Sequence, residues 1–145
     1  MEIGKEKLET IPPIGRPTSV RDFTDLEAWQ VARDLRSDIY AVCKAFPKDE
    51  TFGLVSQIKR AATSVTANIA EGFGRYSYQE NIQFCRHSRG SVYEVRDHLI
   101  TATDAGFLSA EKFGELDAKA ISVIKLLNGY IRATTLRNNS KGTAH

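Results

Sequence analysis

Apolar residues return every three or four positions through most of the chain, which is the period of a helix that buries one face. The clearest case is Val55, Ile58, Ala62, Val65 and Ile69. A second stripe on the same segment is small or polar: Gln57, Ala61, Ser64, Asn68 and Glu71. One helix, from about Asp49 to Glu71, is therefore expected to carry a core seam and a close-contact polar seam. Gly72-Phe73-Gly74 follows, and glycine can take the left-handed conformation that closes a helix.

Three more segments show the same period. Thr24-Asp25-Leu26-Glu27 has the form of a capping box, with Phe23 at the staple position before it. The helix it opens runs to about Phe46 with Trp29, Ala32, Leu35, Ile39, Val42 and Phe46 on one face, and Pro47 ends it. Arg33, Asp34, Arg36 and Asp38 fall outside that face and are expected in solvent. A short link then makes helices one and two antiparallel neighbours. Gly53 falls in the first turns of helix two, where it is unfavourable by roughly 1 kcal/mol against alanine.

Ser77-Tyr78-Gln79-Glu80 is a second capping box, opening helix three with Tyr78, Ile82, Cys85, Val92, Val95, Leu99 and Ala102 as its core face. Gly106-Phe107 has the form of a glycine closure with a hydrophobic contact after it. Ser109 is placed to cap helix four, whose face is Phe113, Leu116, Ala120, Val123, Leu127 and Tyr130. No alternating run reads as a strand. The expectation is an all-α, up-down-up-down antiparallel four-helix bundle over residues 23–136. Residues 1–22, with three prolines and cancelling charges, and the polar residues 137–145 are expected as disordered tails.

Composition narrows the class. With 145 residues, 41% hydrophobic and 26% charged, this is an ordinary globular domain. No apolar run approaches the roughly 20 residues that span a bilayer. The first residues lack an apolar signal core, so a cytoplasmic protein without membrane contact is expected. Cys43 and Cys85 fall on apolar helix registers and read as buried reduced thiols.

The formal net charge of +2 hides a segregation. Lys119, Lys125, Arg132, Arg137 and Lys141 come with no acid among them, a local +5, whereas the chain before them has 15 basic and 18 acidic residues, a net −3. Dipole complementarity near a helix C-terminus explains part of this, and a footprint for RNA or DNA would explain the rest.

Catalysis finds little support. The three histidines are scattered, and inward carboxylates with Glu-x-x-His pairs do not occur. Glu94 and His98 stand four apart, where they could share a metal or simply pair on a helix surface. Gly72-x-Gly74 lacks the Gly-Lys-Ser/Thr of a phosphate loop, and neither Ser64 nor Ser91 has a base beside it. No catalytic residue, metal site or cofactor is therefore assigned, and the chain is not expected to be an enzyme.

Binding is the better expectation. On helix three Gln79, Gln83, Arg86, Tyr93 and Arg96 form a stripe apart from the apolar one, with Arg89 beside it. Arginines with an aromatic between them can hold phosphates and stack a base. Lys59, Arg60 and Arg75 join them as nucleic-acid-binding candidates. Gln57, Asn68 and Glu71 are expected at a polar junction between helices or subunits, where Arg60 or Arg75 could partner them. If they are buried without partners, each costs roughly 1–3 kcal/mol. The alternative is a structural or protein-interaction scaffold in which these arginines pair between subunits.

Five motifs in order carry a resemblance: Phe23-x-Asp25-Leu26-x-x-Trp29-x-x-Ala32, Phe46-Pro47-Lys48-x-Glu50-x-x-Gly53-Leu54, Gln57-Ile58-Lys59-Arg60-Ala61, Asn68-Ile69-Ala70-Glu71-Gly72-x-Gly74-Arg75 and Gly90-Ser91-x-x-Glu94. Over roughly residues 23–136 the chain resembles the four-helix-bundle proteins encoded in ribosomal RNA intervening sequences. It is similar, more distantly, to the accessory variability determinant proteins of diversity-generating retroelements. Those are basic homopentameric barrels that associate with a reverse transcriptase and nucleic acid. The resemblance implies a homo-oligomer, a pentameric ring; the reverse-transcriptase partner is not carried over. Thr66 stands where the family often has proline, so a milder bend in helix two is expected.

Overall fold

The computed structural model describes residues 20–143, with side chains to residue 140. Four helices run α1 (Glu27–Cys43), α2 (Leu54–Phe73), α3 (Tyr78–Asp104) and α4 (Ala110–Thr143). Short 3-10 turns at Phe23–Asp25 and Lys48–Glu50 precede α1 and α2. Each helix packs on its chain neighbours, and α4 closes the ring onto α1, so the expected antiparallel bundle is the fold. The described residues contain no strand.

The predicted seams form the core. Ala32, Leu35, Ile39, Ile58, Val65, Ile69, Val92, Val95, Leu99, Leu116, Val123 and Leu127 are essentially inaccessible. Trp29, Val42, Phe113 and Tyr130 pack at its margins, each half-buried. At about 25 cal/mol per Å2 of apolar surface, this burial is what drives the helices together. The α2–α3 contact is the most extensive, because Ala61, Ala62, Gly72 and Ser88 let the two backbones approach. A Cβ at Gly72 would lie 2.8 Å from Phe84 Cβ and 3.0 Å from Asn81 Oδ1. Ser88 is buried without penalty, since its hydroxyl donates to the Val65 carbonyl at 2.7 Å across this contact.

Several ends differ from the expectation. The first capping box is Asp22–Asp25, not Thr24–Glu27: the Phe23 amide donates to Asp22 Oδ1 (2.9 Å) and the Asp22 amide to Asp25 Oδ2 (3.1 Å). Leu26 is the reason. It is extended and buried, so the chain breaks there to insert its side chain and the α-helix starts at Glu27. α1 stops at Cys43, although Phe46 stays buried against Phe107, ring centroids 5.8 Å apart. α2 begins at Leu54 rather than Asp49, and the Leu54 amide donates to Glu50 Oε2 at 3.1 Å. Gly53 is therefore the N-cap rather than a helix-interior residue.

Gly72 and Gly74 both have negative φ, so no left-handed glycine closes α2. Gly106 does take that conformation, at φ +82°. The Phe107 amide then reaches Ala102 O (2.9 Å) and the Gly106 amide Thr103 O (3.0 Å), a Schellman closure of α3. Ser77 Oγ accepts from the Glu80 amide and Ser109 Oγ from the Lys112 amide, each at 3.0 Å. α4 runs on to Thr143, past Arg137 where a disordered tail was expected to begin. Ile131 and Thr134 are buried, and once anchored a helix adds one hydrogen bond per further residue fixed. The tail expected over residues 1–22 lies outside the described residues as far as residue 19, as do residues 144–145 of the other tail.

Candidate nucleic-acid interface

The valleys between neighbouring helices hold the polar side chains. In the α2–α3 valley, α2 contributes its second stripe. Gln57 Oε1 accepts from Arg60 Nη2, and Arg60 Nη2 also lies 3.7 Å from Glu94 Oε2. Further along, Asn68 Nδ2 donates to both Ser64 O and Ser64 Oγ at 2.9 Å, and Ser64 Oγ lies 2.9 Å from Ser91 Oγ. At the far end Arg75 Nη2 binds Glu71 Oε1 at 2.6 Å and its guanidinium stands 4.9 Å from the Phe84 ring centre. Gln57, Asn68 and Glu71 lie along this open valley, and each has a partner within the chain.

Glu94 also accounts for His98, whose Nε2 is 3.2 Å from Glu94 Oε2. Arg60 shares that oxygen and supplies a positive charge beside it, which opposes a cation there. Among the described residues no cluster of three His, Cys, Asp or Glu side chains could hold a metal.

The α3–α4 valley takes up two more candidates. Arg96 binds Asp117 through Nε (2.7 Å) and Nη2 (3.4 Å), a forked pair on half-buried side chains. That hydrogen bond chiefly raises the guanidinium pKa above its ordinary value. Arg89 Nη1 donates to Asn128 Oδ1 at 2.7 Å. Deeper in, Asn81 Nδ2 donates to Tyr130 Oη at 2.9 Å.

On the outer ridge of α3, Tyr93 is half exposed with the Arg96 guanidinium 5.6 Å from its ring centre. Arg86 on the same ridge makes no ion pair among the described residues. The seven residues predicted to bind nucleic acid are therefore not one patch. Arg60 and Arg75 lie along the α2–α3 valley, Arg89 and Arg96 turn toward α4, and Arg86 and Tyr93 stand outside.

Lys59 belongs to the α1–α2 valley. Its Nζ stands 4.7 Å from the centre of the Tyr40 ring, and Tyr40 Oη is 3.5 Å from Thr63 Oγ1. Arg36, Ser37, Tyr40, Ala41, Lys44 and Thr63 line this groove. Arg36 Nη1 donates to the buried Thr66 Oγ1 at 2.9 Å, which fixes the guanidinium at the groove wall. Sequence reasoning set Arg36 aside as solvated and did not use Tyr40 or Lys44. The signal was available: positions 36, 40 and 44 repeat every four residues without an acid, whereas Asp34 and Asp38 fall on the other flank of α1.

That other flank faces α4. Glu27 and Asp34 line the groove there with Glu115, Lys119 and Lys125, and Lys119 Nζ binds Asp38 Oδ2 at 2.5 Å. The expected C-terminal basic run is thereby partly neutralised. The two thiols are buried and free. Burial pushes the Cys85 thiol up to about 12 and raises Cys43 too, the latter offset in part by Lys59.

No helix of the described residues is long and apolar enough to cross a membrane. Among curated proteins, none matches the chain. The family model for the 23S rRNA-intervening sequence protein matches residues 24–129, from the turn before α1 to the middle of α4. The chain belongs to the 23S rRNA-intervening sequence protein family.

Proposed function

We propose that this protein is a non-enzymatic, homo-oligomeric bundle of the cytoplasm, a pentamer, that binds RNA or DNA through exposed basic side chains and needs no cofactor. The observation that carries the reading is the uneven use of its cations. Arg60, Arg75 and Arg96 meet carboxylates within the chain, but Lys59 and Arg86 meet none among the described residues. Cations without local counter-charge that solvent can reach are what a phosphate backbone recruits. The family's description, which ties these proteins to a ribosomal RNA insertion, agrees with a nucleic-acid setting. The buried free thiols agree with a reducing compartment.

The test is a mobility shift of labelled RNA and DNA at low salt with the protein and its Lys59→Glu/Arg86→Glu variant. The variant should keep its particle mass in light scattering and lose most binding. Equal binding by the variant would refute the role of these cations, and no binding by the unmodified protein would refute the function.

A second reading, a scaffold without nucleic acid, draws on the apolar exposure of α3. Tyr93 and Ile100 are 52% and 46% exposed and seven residues apart, so they share a face that a partner or a second copy could cover. Intersubunit pairing by Arg60 or Arg75 has less support, since both pair internally. Under the scaffold reading Tyr93→Glu breaks the assembly and no nucleic acid is bound by either form.

A further inference from the structure

We propose that the valley between α1 and α2 is a track for single-stranded nucleic acid, in which Arg36, Lys44 and Lys59 take phosphates and Tyr40 takes a base. This rests on the nucleic-acid reading above and assigns it a site, ligand form and residues that the α3 candidates do not supply.

Charge is the first ground. The groove wall holds Arg36 and Lys44, with Lys59 at its edge, and none of its lining residues is a carboxylate. The acids of α1 are turned away: Glu27 and Asp34 line the valley toward α4, and Asp38 is held by Lys119. Three cations gathered without a local anion raise the positive potential of a concave surface, which concentrates polyanions there. By contrast Arg60, Arg75, Arg89 and Arg96 would each have to break a bond within the chain before meeting a phosphate.

Preorganisation is the second ground. Arg36 is anchored through one N–H on buried Thr66, which positions the guanidinium at the wall while its other donors are left for a ligand. Lys59 is held over one face of the Tyr40 ring, so a base stacks on the other face and the ammonium lies beside the phosphates that flank it. Holding these groups before binding reduces the entropy lost on association.

The aromatic selects the form of the ligand. Tyr40 is 42% exposed in the groove, with its hydroxyl beside Thr63. A ring in such a valley can stack only on a base that has left a duplex, and base–aromatic stacking is tolerant of sequence. A double helix would offer the groove phosphates alone. Hydroxyls at Ser37 and Thr63 add further phosphate or sugar contacts along the same wall.

The experiment measures fluorescence anisotropy of labelled oligouridylate, oligodeoxythymidylate and a duplex of equal length against the full-length protein over a series of salt concentrations. Three variants are compared with it: Lys44→Gln/Lys59→Gln, Tyr40→Leu, and the equal-charge control Lys125→Gln/Arg132→Gln on α4. Light scattering confirms that each keeps the unmodified particle mass. The groove double variant should lose at least about tenfold in affinity, with a log–log salt slope shallower by about 1.4, since each lost single-strand phosphate contact contributes about 0.7. Tyr40→Leu should lose about fivefold or more with its salt slope unchanged. The α4 control should lose less than the groove variant.

Full affinity in the groove double variant, or a larger loss in the α4 control, overturns the track while nucleic-acid binding by the protein stands. Unchanged affinity in Tyr40→Leu, or tighter binding of the duplex than of either single strand, overturns the single-strand assignment. Absence of binding to all three probes by the unmodified protein overturns the functional reading, and the track with it.

Discussion

Gly72 lies in the last turn of α2 and Gly90 in the interior of α3, and their surroundings give them opposite meanings. A methyl group at Gly72 would meet Phe84 and Asn81, whereas nothing lies within 4 Å of one at Gly90. Gly72→Ala should therefore destabilise the protein by about 1–3 kcal/mol through overpacking, despite its better helix propensity. Gly90→Ala should stabilise by up to about 1 kcal/mol. Urea unfolding of both variants checks this; equal and favourable changes would mean that α2 and α3 are not in such close contact. The sequence alone does not show which glycine is required, because the requirement comes from Phe84 on another helix.

The thiols give a second residue-scale test. Burial favours the neutral form of Cys85, so its pKa rises from 9.0 to about 12 in the fold. The folded state then binds this proton more tightly than the unfolded chain. The resulting stability is complete below the unfolded pKa and is lost as pH rises toward about 12. At pH near 8, a thiol-exchange reagent should leave Cys85 unmodified in the native protein and react fully after denaturation. Prompt native labelling of Cys85 would contradict its burial.

At the scale of the helix, periodicity was a sound guide to faces and a poor one to ends. All five predicted core positions of α2 are buried, as are Ile82, Cys85, Val92, Val95, Leu99 and Ala102 on α3. A period reports which side of a helix meets the others and is set by the helix itself. Ends are set by competition with tertiary packing: Leu26 inserts into the core and delays α1, and Glu50 caps α2 from an upstream turn. α4 shows the converse, continuing beyond its polar sequence because Ile131 and Thr134 anchor it.

Thr134 adds a testable detail to α4. It is fully buried and its hydroxyl has no hydrogen-bond partner among the described residues. Leaving such a group unsatisfied costs about 1–3 kcal/mol. Thr134→Val should therefore raise stability, by about 1 kcal/mol, in the same urea assay. A loss of similar size would show that the hydroxyl is satisfied.

At the scale of the molecule, the arrangement of charge is what the sequence could least reveal. The arginines on and beside α3 were legible as a basic stripe, but Arg89 and Arg96 are turned to Asn128 and Asp117, which lie 39 and 21 residues away along the chain. The partners of an arginine depend on which helix lies beside it, and a single-helix pattern cannot supply that. The same geometry brings Lys59 of α2 over Tyr40 of α1 and forms a basic valley that neither helix displays alone. In a pentameric ring this valley would be repeated five times, so modest contacts could act together with the avidity of linked sites. Light scattering of the purified protein should give a particle of about five chains; a monomer would remove that gain.

The proposed role of the cations that the fold leaves unbalanced is to meet nucleic acid. Its most direct test is the affinity of the unmodified protein for labelled single-stranded RNA, measured between about 50 and 200 mM salt. The expected result is a straight log–log line falling with salt, with a slope of at least about −2, matching three or more phosphates at about 0.7 each. No binding at the lowest salt, or an affinity unchanged across the range, would contradict it.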